Sequence, residues 1–155
     1  MIVVSDTSAI TNLLAIRREN LLLQLFGVVL VPAAVQAELS VTHLQIPAFL
    51  QIRVVEDRAA VRQFIDADLD LGEAEAIQLA LELDADHLLI DEAAGRRIAE
   101  QRGLKIIGVL GVLAQAKRNG LITAVLPEID ALRSAADFWI APALRERFLR
   151  DLGEA

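Results

Sequence analysis

The stretch from Leu69 to Glu82, followed by Leu88 to Glu92, constrains this chain more than any other. Ala76, Ile77, Ala80 and Leu81 recur at helical spacing behind an acidic first turn, and the aliphatic run Leu88-Leu89-Ile90 then stops at Asp91 and Glu92. A helix followed by a short, wholly apolar strand implies burial of that strand on both faces, which is the condition of a parallel sheet covered by helices. Ligands of such sheets collect outside the carboxyl ends of the strands, where Asp91 and Glu92 should sit. A second strand, beginning at Ile2, also runs into an acid, Asp6. Carboxylates brought together repel one another unless a proton or a cation compensates them. The set Asp6, Glu38, Glu75 and one or both of Asp91 and Glu92 is therefore expected to surround a divalent ion.

The rest of the chain alternates in the same way. Ile2 to Val4 reads as a strand, and Ser5-Asp6-Thr7-Ser8 as its junction with a helix through Ala15; any of these can cap the helix, and Thr7 or Ser8 can do so while Asp6 points elsewhere. Leu21, Leu22, Leu25 and Phe26 predict a second helix ended by Gly27, and Val28 to Val31 a strand ended by Pro32. Val35 and Leu39 give the next helix its inward face, with Glu38 at the edge. Thr42 to Leu50 reads as a loop, and Ile52, Val54 and Val55 as the third strand. Asp57 can cap a helix over 60–65. Asp70 and Glu73 have the spacing of a capping box, which gives Asp70 a structural use. Glu73 and Glu75, two apart, lie on different helix faces, so that one can look into a site while the other looks away. Lys105-Ile106-Ile107 is the fifth strand and Val109 to Ala116 a further helix. The expectation is one three-layer α/β/α domain over 1–155 with a central parallel sheet of about five strands. Within it, 121–155 forms a C-terminal helical extension packed on the body or on a partner, with Trp139 and Phe148 as its anchors or as a partner surface.

Composition narrows the chemistry. There is no cysteine and there are two histidines, so thiolate catalysis is absent and any metal must be held by oxygen, which favours Mg2+ or Mn2+ over zinc. The net charge of −7 opposes nonspecific attraction to phosphate chains, yet an acid cluster loaded with cations can meet phosphate locally, with Arg17-Arg18, Arg96-Arg97 and Lys117-Arg118 available around it. Nothing resembles a Gly-x-Ser-x-Gly elbow, a phosphate loop or a dinucleotide loop. Lys105 precedes its strand, at the opposite end from the acids, which argues against a phosphoacceptor domain. The Asp6-Thr7-Ser8 sequence lacks the second acid of an Asp-x-Asp phosphatase. Water is then the expected nucleophile, with Ser5 and Ser8 as supports. Without a basic leader or a long apolar run, the chain is expected in the cytoplasm and away from the membrane.

Several segments together resemble the PIN-domain superfamily, in its small prokaryotic DUF3368 branch related to toxin ribonucleases of toxin-antitoxin pairs. They are Val3-Val4-Ser5-Asp6-Thr7-Ser8, Val31-Pro32-Ala33-Ala34-Val35-Gln36-Ala37-Glu38-Leu39, Leu71-Gly72-Glu73-Ala74-Glu75-Ala76-Ile77, Leu88-Leu89-Ile90-Asp91-Glu92-Ala93-Ala94-Gly95-Arg96 and Gly108 to Lys117, with Phe138-Trp139-Ile140 and Leu152-Gly153-Glu154 beyond. The resemblance implies an acidic pocket binding Mg2+ or Mn2+ and hydrolysis of phosphodiester bonds in RNA. It matches Asp6, Glu38 and Glu75 to the first three metal acids. The fourth falls on Asp91 or Glu92, where Glu92 departs from the usual aspartate by one methylene, and this leaves an attenuated or noncatalytic binding module as the alternative. Glu38 or Asp91 would assist proton removal, and Arg96, with Ser5, Thr7 and Ser8, would support or position the substrate. The resemblance further implies a homodimer and an antitoxin protein as partner.

Overall fold

Five short strands, β1 (Val3–Ser5), β2 (Val29–Val31), β3 (Leu50–Ile52), β4 (His87–Leu89) and β5 (Ile106–Ile107), pair in parallel in the order β3-β2-β1-β4-β5 in the computed structural model, which describes residues 1–155. Nine helices connect and cover them: α1 (Thr7–Ala15), α2 (Asn20–Phe26), α3 (Ala33–Thr42), α4 (Arg58–Asp66), α5 (Leu71–Glu82), α6 (Ala93–Gln101), α7 (Val109–Arg118), α8 (Leu126–Ala136) and α9 (Pro142–Asp151). The architecture is the expected three-layer α/β/α fold.

Period-two alternation along the strands sorts the core into two. Val3, Val29, Val31, Leu89 and Ile107 face one side and join residues of α1, α2, α3 and α7. Val4, Leu88 and Ile90 face the other and join Val61 and Phe64 of α4, Ile77 and Ala80 of α5, and Ala99 of α6. Each fully buried Leu, Ile or Val contributes roughly 1.5–3 kcal/mol of transfer free energy, so both faces are needed to hold so thin a sheet. The C-terminal helices enlarge the first core: Ile129, Leu132 and Leu149 are buried in it, and Phe138 and Phe148 pack against it. Glu154 then folds back, accepting Val125 N at 2.8 Å, Leu126 N at 2.9 Å and Lys117 Nζ at 2.7 Å, so the end of the chain caps the start of α8.

One local expectation shifts. The third strand is Leu50–Ile52 rather than the Ile52-Val54-Val55 run. Its ladder uses Val29 N to Phe49 O at 3.2 Å and Arg53 N to Val31 O at 3.0 Å, after which β2 has ended at Pro32 and offers no further partner. Val54 is consequently exposed, while Val55 turns into the second core. At the first junction several residues could cap α1, and the one that does is Asp6, through Ala9 N to Oδ1 at 3.3 Å. The capping box of Asp70 and Glu73 forms as its spacing predicts, and Asp57 caps α4 through Ala60 N at 3.0 Å.

Candidate functional site

Leaving β1 the chain crosses to β2 on one side, whereas β4 lies on the other, so the order reverses between β1 and β4. Such a switch point opens a crevice at the carboxyl ends of the strands. Here it is a cavity of about 520 Å³ lined by Asp6, Thr7, Ser8, Thr11, Glu38, Val41, Thr42, Asp70, Glu73 and Glu92.

Asp6 stands at its floor. Its backbone N–H donates to Leu89 O at 3.0 Å, tying the end of β1 to β4, and its carboxylate accepts Ala9 N and, at 3.2 Å, Ser8 Oγ. Burial pushes its carboxyl up to about 7, with the charges of Asp91 and Glu73 adding to the rise and the Ala9 and Ser8 hydrogen bonds opposing it. Glu73, from the first turn of α5, is also pushed up to about 7, by burial first and then by Asp70. One of its oxygens accepts Asp70 N at 3.4 Å; the other, Oε2, is buried with no hydrogen-bond partner. Glu38, on the exposed edge of α3, accepts the Thr7 hydroxyl at 2.6 Å. Glu92 precedes α6 without a side-chain bond to that helix and lines the same cavity.

Two glycines let these carboxylates in. A Cβ on Gly72 would lie 2.5 Å from Glu38 Oε1, and one on Gly95 would lie 2.8 Å from Glu73 Oε2 and 2.6 Å from Ile90 Cδ1.

The structure brings Asp6, Glu38, Glu92, Thr7 and Ser8 to the cavity and leaves Glu75, Asp91 and Arg96 outside its lining. Glu75 is buried on another side of α5, where it accepts Ala34 N at 2.9 Å and Arg58 Nη1 at 2.7 Å. The reason is local: α3 starts after Pro32, which has no side-chain cap to offer, and Glu75 supplies the missing acceptor. Asp91 plays the same part for α7, whose cap residue is Gly108; its oxygens accept Val109 N at 3.0 and 3.2 Å. Burial raises the Asp91 carboxyl, against the lowering effects of Val109 N–H and Arg96. Arg96 is folded onto Ile90 O at 2.9 Å beside it. Ser5 is buried and donates to Asp6 O at 2.9 Å, supporting the strand end. Of the basic pairs, Arg18 is bound to Glu128 and Lys117 to Glu154, which removes both from substrate duty.

Of Glu73 and Glu75, one of which was expected to look into the site, Glu73 lines the cavity, although the expected metal set named Glu75. One signal pointed to Glu73: the glutamate of a capping box folds back toward the start of its helix, and helix starts in a parallel α/β fold lie at the carboxyl ends of the strands.

The donors lining the cavity are all oxygen, which suits a hard divalent cation. The unpartnered buried oxygen of Glu73 is a ready acceptor for one. As the side chains stand, no group of three or more His, Asp or Glu is tight enough to chelate an ion directly. Mg2+ characteristically keeps several waters and takes one or two carboxylates, so the spacing is compatible with it.

A family model described as DUF3368: PIN domain matches residues 2–154. No curated protein and no solved structure matches the sequence.

Proposed function

On the premise that this chain belongs to the DUF3368 family of PIN domains, a nuclease-type fold, we propose that it is a metal-dependent ribonuclease hydrolysing phosphodiester bonds in RNA. The observation that carries the reading is the convergence of Asp6, Glu38, Glu73 and Glu92 on one open cavity at the switch point, with the carboxyls of Asp6 and Glu73 both pushed up to about 7, by burial first and then by neighbouring acids. Charge of this kind calls for a cation, and Asp6, Glu73, Glu38 and Glu92 are the residues that would hold it.

A bound Mg2+ or Mn2+ would supply polarisation of the phosphodiester and a lower pKa for attacking water. The chain's own groups account for the rest. The α1 N-terminus and Ser8 fix both Asp6 oxygens. Thr7 fixes one oxygen of Glu38 and leaves the other, over Gly72, to take a proton from water. Asp91 adds negative charge behind Asp6 without entering the cavity.

The test is cleavage of several unstructured and hairpin RNAs by purified protein in Mg2+, Mn2+ or chelator. Asp6→Asn should reduce metal-dependent cleavage by about a hundredfold or more while the fold is retained. Cleavage unchanged by that substitution would reject the assigned centre. An attenuated or noncatalytic binding module is the second reading, and the absence of a ready-made three-acid cluster favours it; such a protein would bind RNA or protein without forming product. The toxin role, a homodimer and an antitoxin partner rest on the family resemblance and are read by growth arrest on induction, by sedimentation and by co-purification with the product of a neighbouring gene.

A further inference from the structure

A second depression adjoins the acidic cavity. It is a groove of about 640 Å³ between the β5–α7 corner and the C-terminal segment, mostly apolar in its lining, with Asp91, Arg96, Arg118 and Trp139 among the residues that border it. Asp91 faces this groove while Glu92, the next residue, faces the acidic cavity, so a single peptide unit separates the two.

Three observations bear on what the groove takes. Trp139 is the only tryptophan in the chain and is 79 % exposed, whereas Phe138 beside it and Phe148 are packed against the core. Trp139 also borders a smaller depression that includes Arg133 and the Arg145–Asp130 pair, so an arginine free of ion pairs, Arg118 or Arg133, borders each of the two depressions it separates. Arg118 and Arg133 belong to none of the five ion pairs, on a protein whose net charge is −7. A flat, exposed aromatic ring flanked by unpaired guanidinium groups has the chemistry of a single-stranded nucleic-acid platform: the ring stacks on a base and the cations meet the neighbouring phosphates.

We propose that this groove binds the single-stranded segment of RNA flanking the scissile phosphate, with Trp139 stacking on a base and Arg118 contacting the backbone. That the bound segment flanks a scissile phosphate rests on the nuclease reading; the binding itself does not. It makes Trp139 a substrate-positioning residue rather than a catalytic one. It also accounts for how so acidic a chain can hold a polyanion: the charge that matters is local, on the groove side of Asp91.

The lone tryptophan, in a chain without tyrosine, supplies the test. Full-length protein in chelator is titrated with an unlabelled oligoadenylate of about ten nucleotides while its emission is followed. Saturable quenching is expected, with the midpoint moved to about fivefold or more higher strand concentration in Arg118→Ala. By anisotropy of a labelled strand, Trp139→Leu should bind about tenfold more weakly, with Trp139→Phe restoring part of the loss. Emission unchanged by the strand overturns the groove assignment, and cleavage by the same protein in Mg2+ would show the nuclease reading surviving without it. Quenching in a protein that cuts nothing leaves the groove standing and removes the nuclease reading. Emission that changes with protein concentration in the absence of strand assigns the groove to a second copy of the chain and overturns the proposal.

Discussion

Gly72 stands where any side chain would strike Glu38: a Cβ there would lie 2.5 Å from Glu38 Oε1. The obstructing atom is the end of a flexible side chain, so Gly72→Ala should displace the carboxylate rather than unfold the protein. Alanine is also the better helix former, by up to about 1 kcal/mol. The expected outcome is a melting temperature that is unchanged or slightly raised together with a metal-dependent cleavage rate lowered about tenfold or more, as for other displaced supports of a metal site. Parallel melting and cleavage measurements check it.

Glu73 and Glu75 should separate cleanly. Glu75→Ala removes the acceptor of Ala34 N and the partner of Arg58, which is half exposed; this should cost about 1–3 kcal/mol of stability, with little change in the affinity for Mn2+. Glu73→Gln should do the reverse, weakening Mn2+ binding while leaving the stability of the metal-free protein equal or higher above neutral pH. Urea denaturation and calorimetric titration of the two variants give the comparison. Weakened Mn2+ binding in the Glu75 variant alone would return that residue to the metal set.

Stability without divalent ions should fall as pH rises. The Asp6 carboxyl goes from an ordinary 3.8 to about 7 on folding, and Glu73 from 4.5 to about 7, so the folded chain holds protons that the unfolded chain gives up. The sign follows from linkage: the contribution is fully present below the unfolded values and is lost as pH rises through about 7. Mn2+ should offset the loss at about pH 8 and have little effect near pH 5, where protons occupy the same oxygens. Melting curves across that range, with Asp6→Asn flattening the profile, are the measurement.

The end of the chain should be worth more than its position suggests. Glu154 caps α8 and binds Lys117; although burial alone would raise its carboxyl, the Lys117 ammonium and the Val125 and Leu126 N–H groups hold it below the ordinary value. Glu154→Ala should therefore cost about 1 kcal/mol, comparable with the loss of a helix cap. The difference from the parent should be present above about pH 4.5 and shrink as pH falls through the folded value of Glu154. Denaturant titrations of both proteins at two pH values read it directly.

Much of the scaffold was legible from local rules. The strand at Val29–Val31, the strand at His87–Leu89, one residue ahead of the apolar run Leu88-Leu89-Ile90, and the caps at Asp57 and Asp70 fall where periodicity and capping chemistry put them. The third strand slipped because Val54 and Val55 are as apolar as any strand residue, and only the end of β2 tells the chain where pairing stops. The first cap stayed open in the sequence because Asp6, Thr7 and Ser8 are all good caps, and the choice depends on how β1 delivers the backbone to α1.

The sequence by itself determined that strands and helices would alternate in layers and that acids would follow the strands, because those properties arise from neighbours within a few residues. It left open which acids meet. That was decided by the tertiary structure, through groups far apart in the chain: α3 and α7 begin at Pro32 and Gly108, neither of which can supply a side-chain cap, and so they draw in Glu75 and Asp91. The bare faces of Gly72 and Gly95 admit Glu38 and Glu73 to the cavity. Unsatisfied backbone N–H groups and the absence of a methyl group, more than the identity of the carboxylates, direct which of them line the crevice beside Asp6.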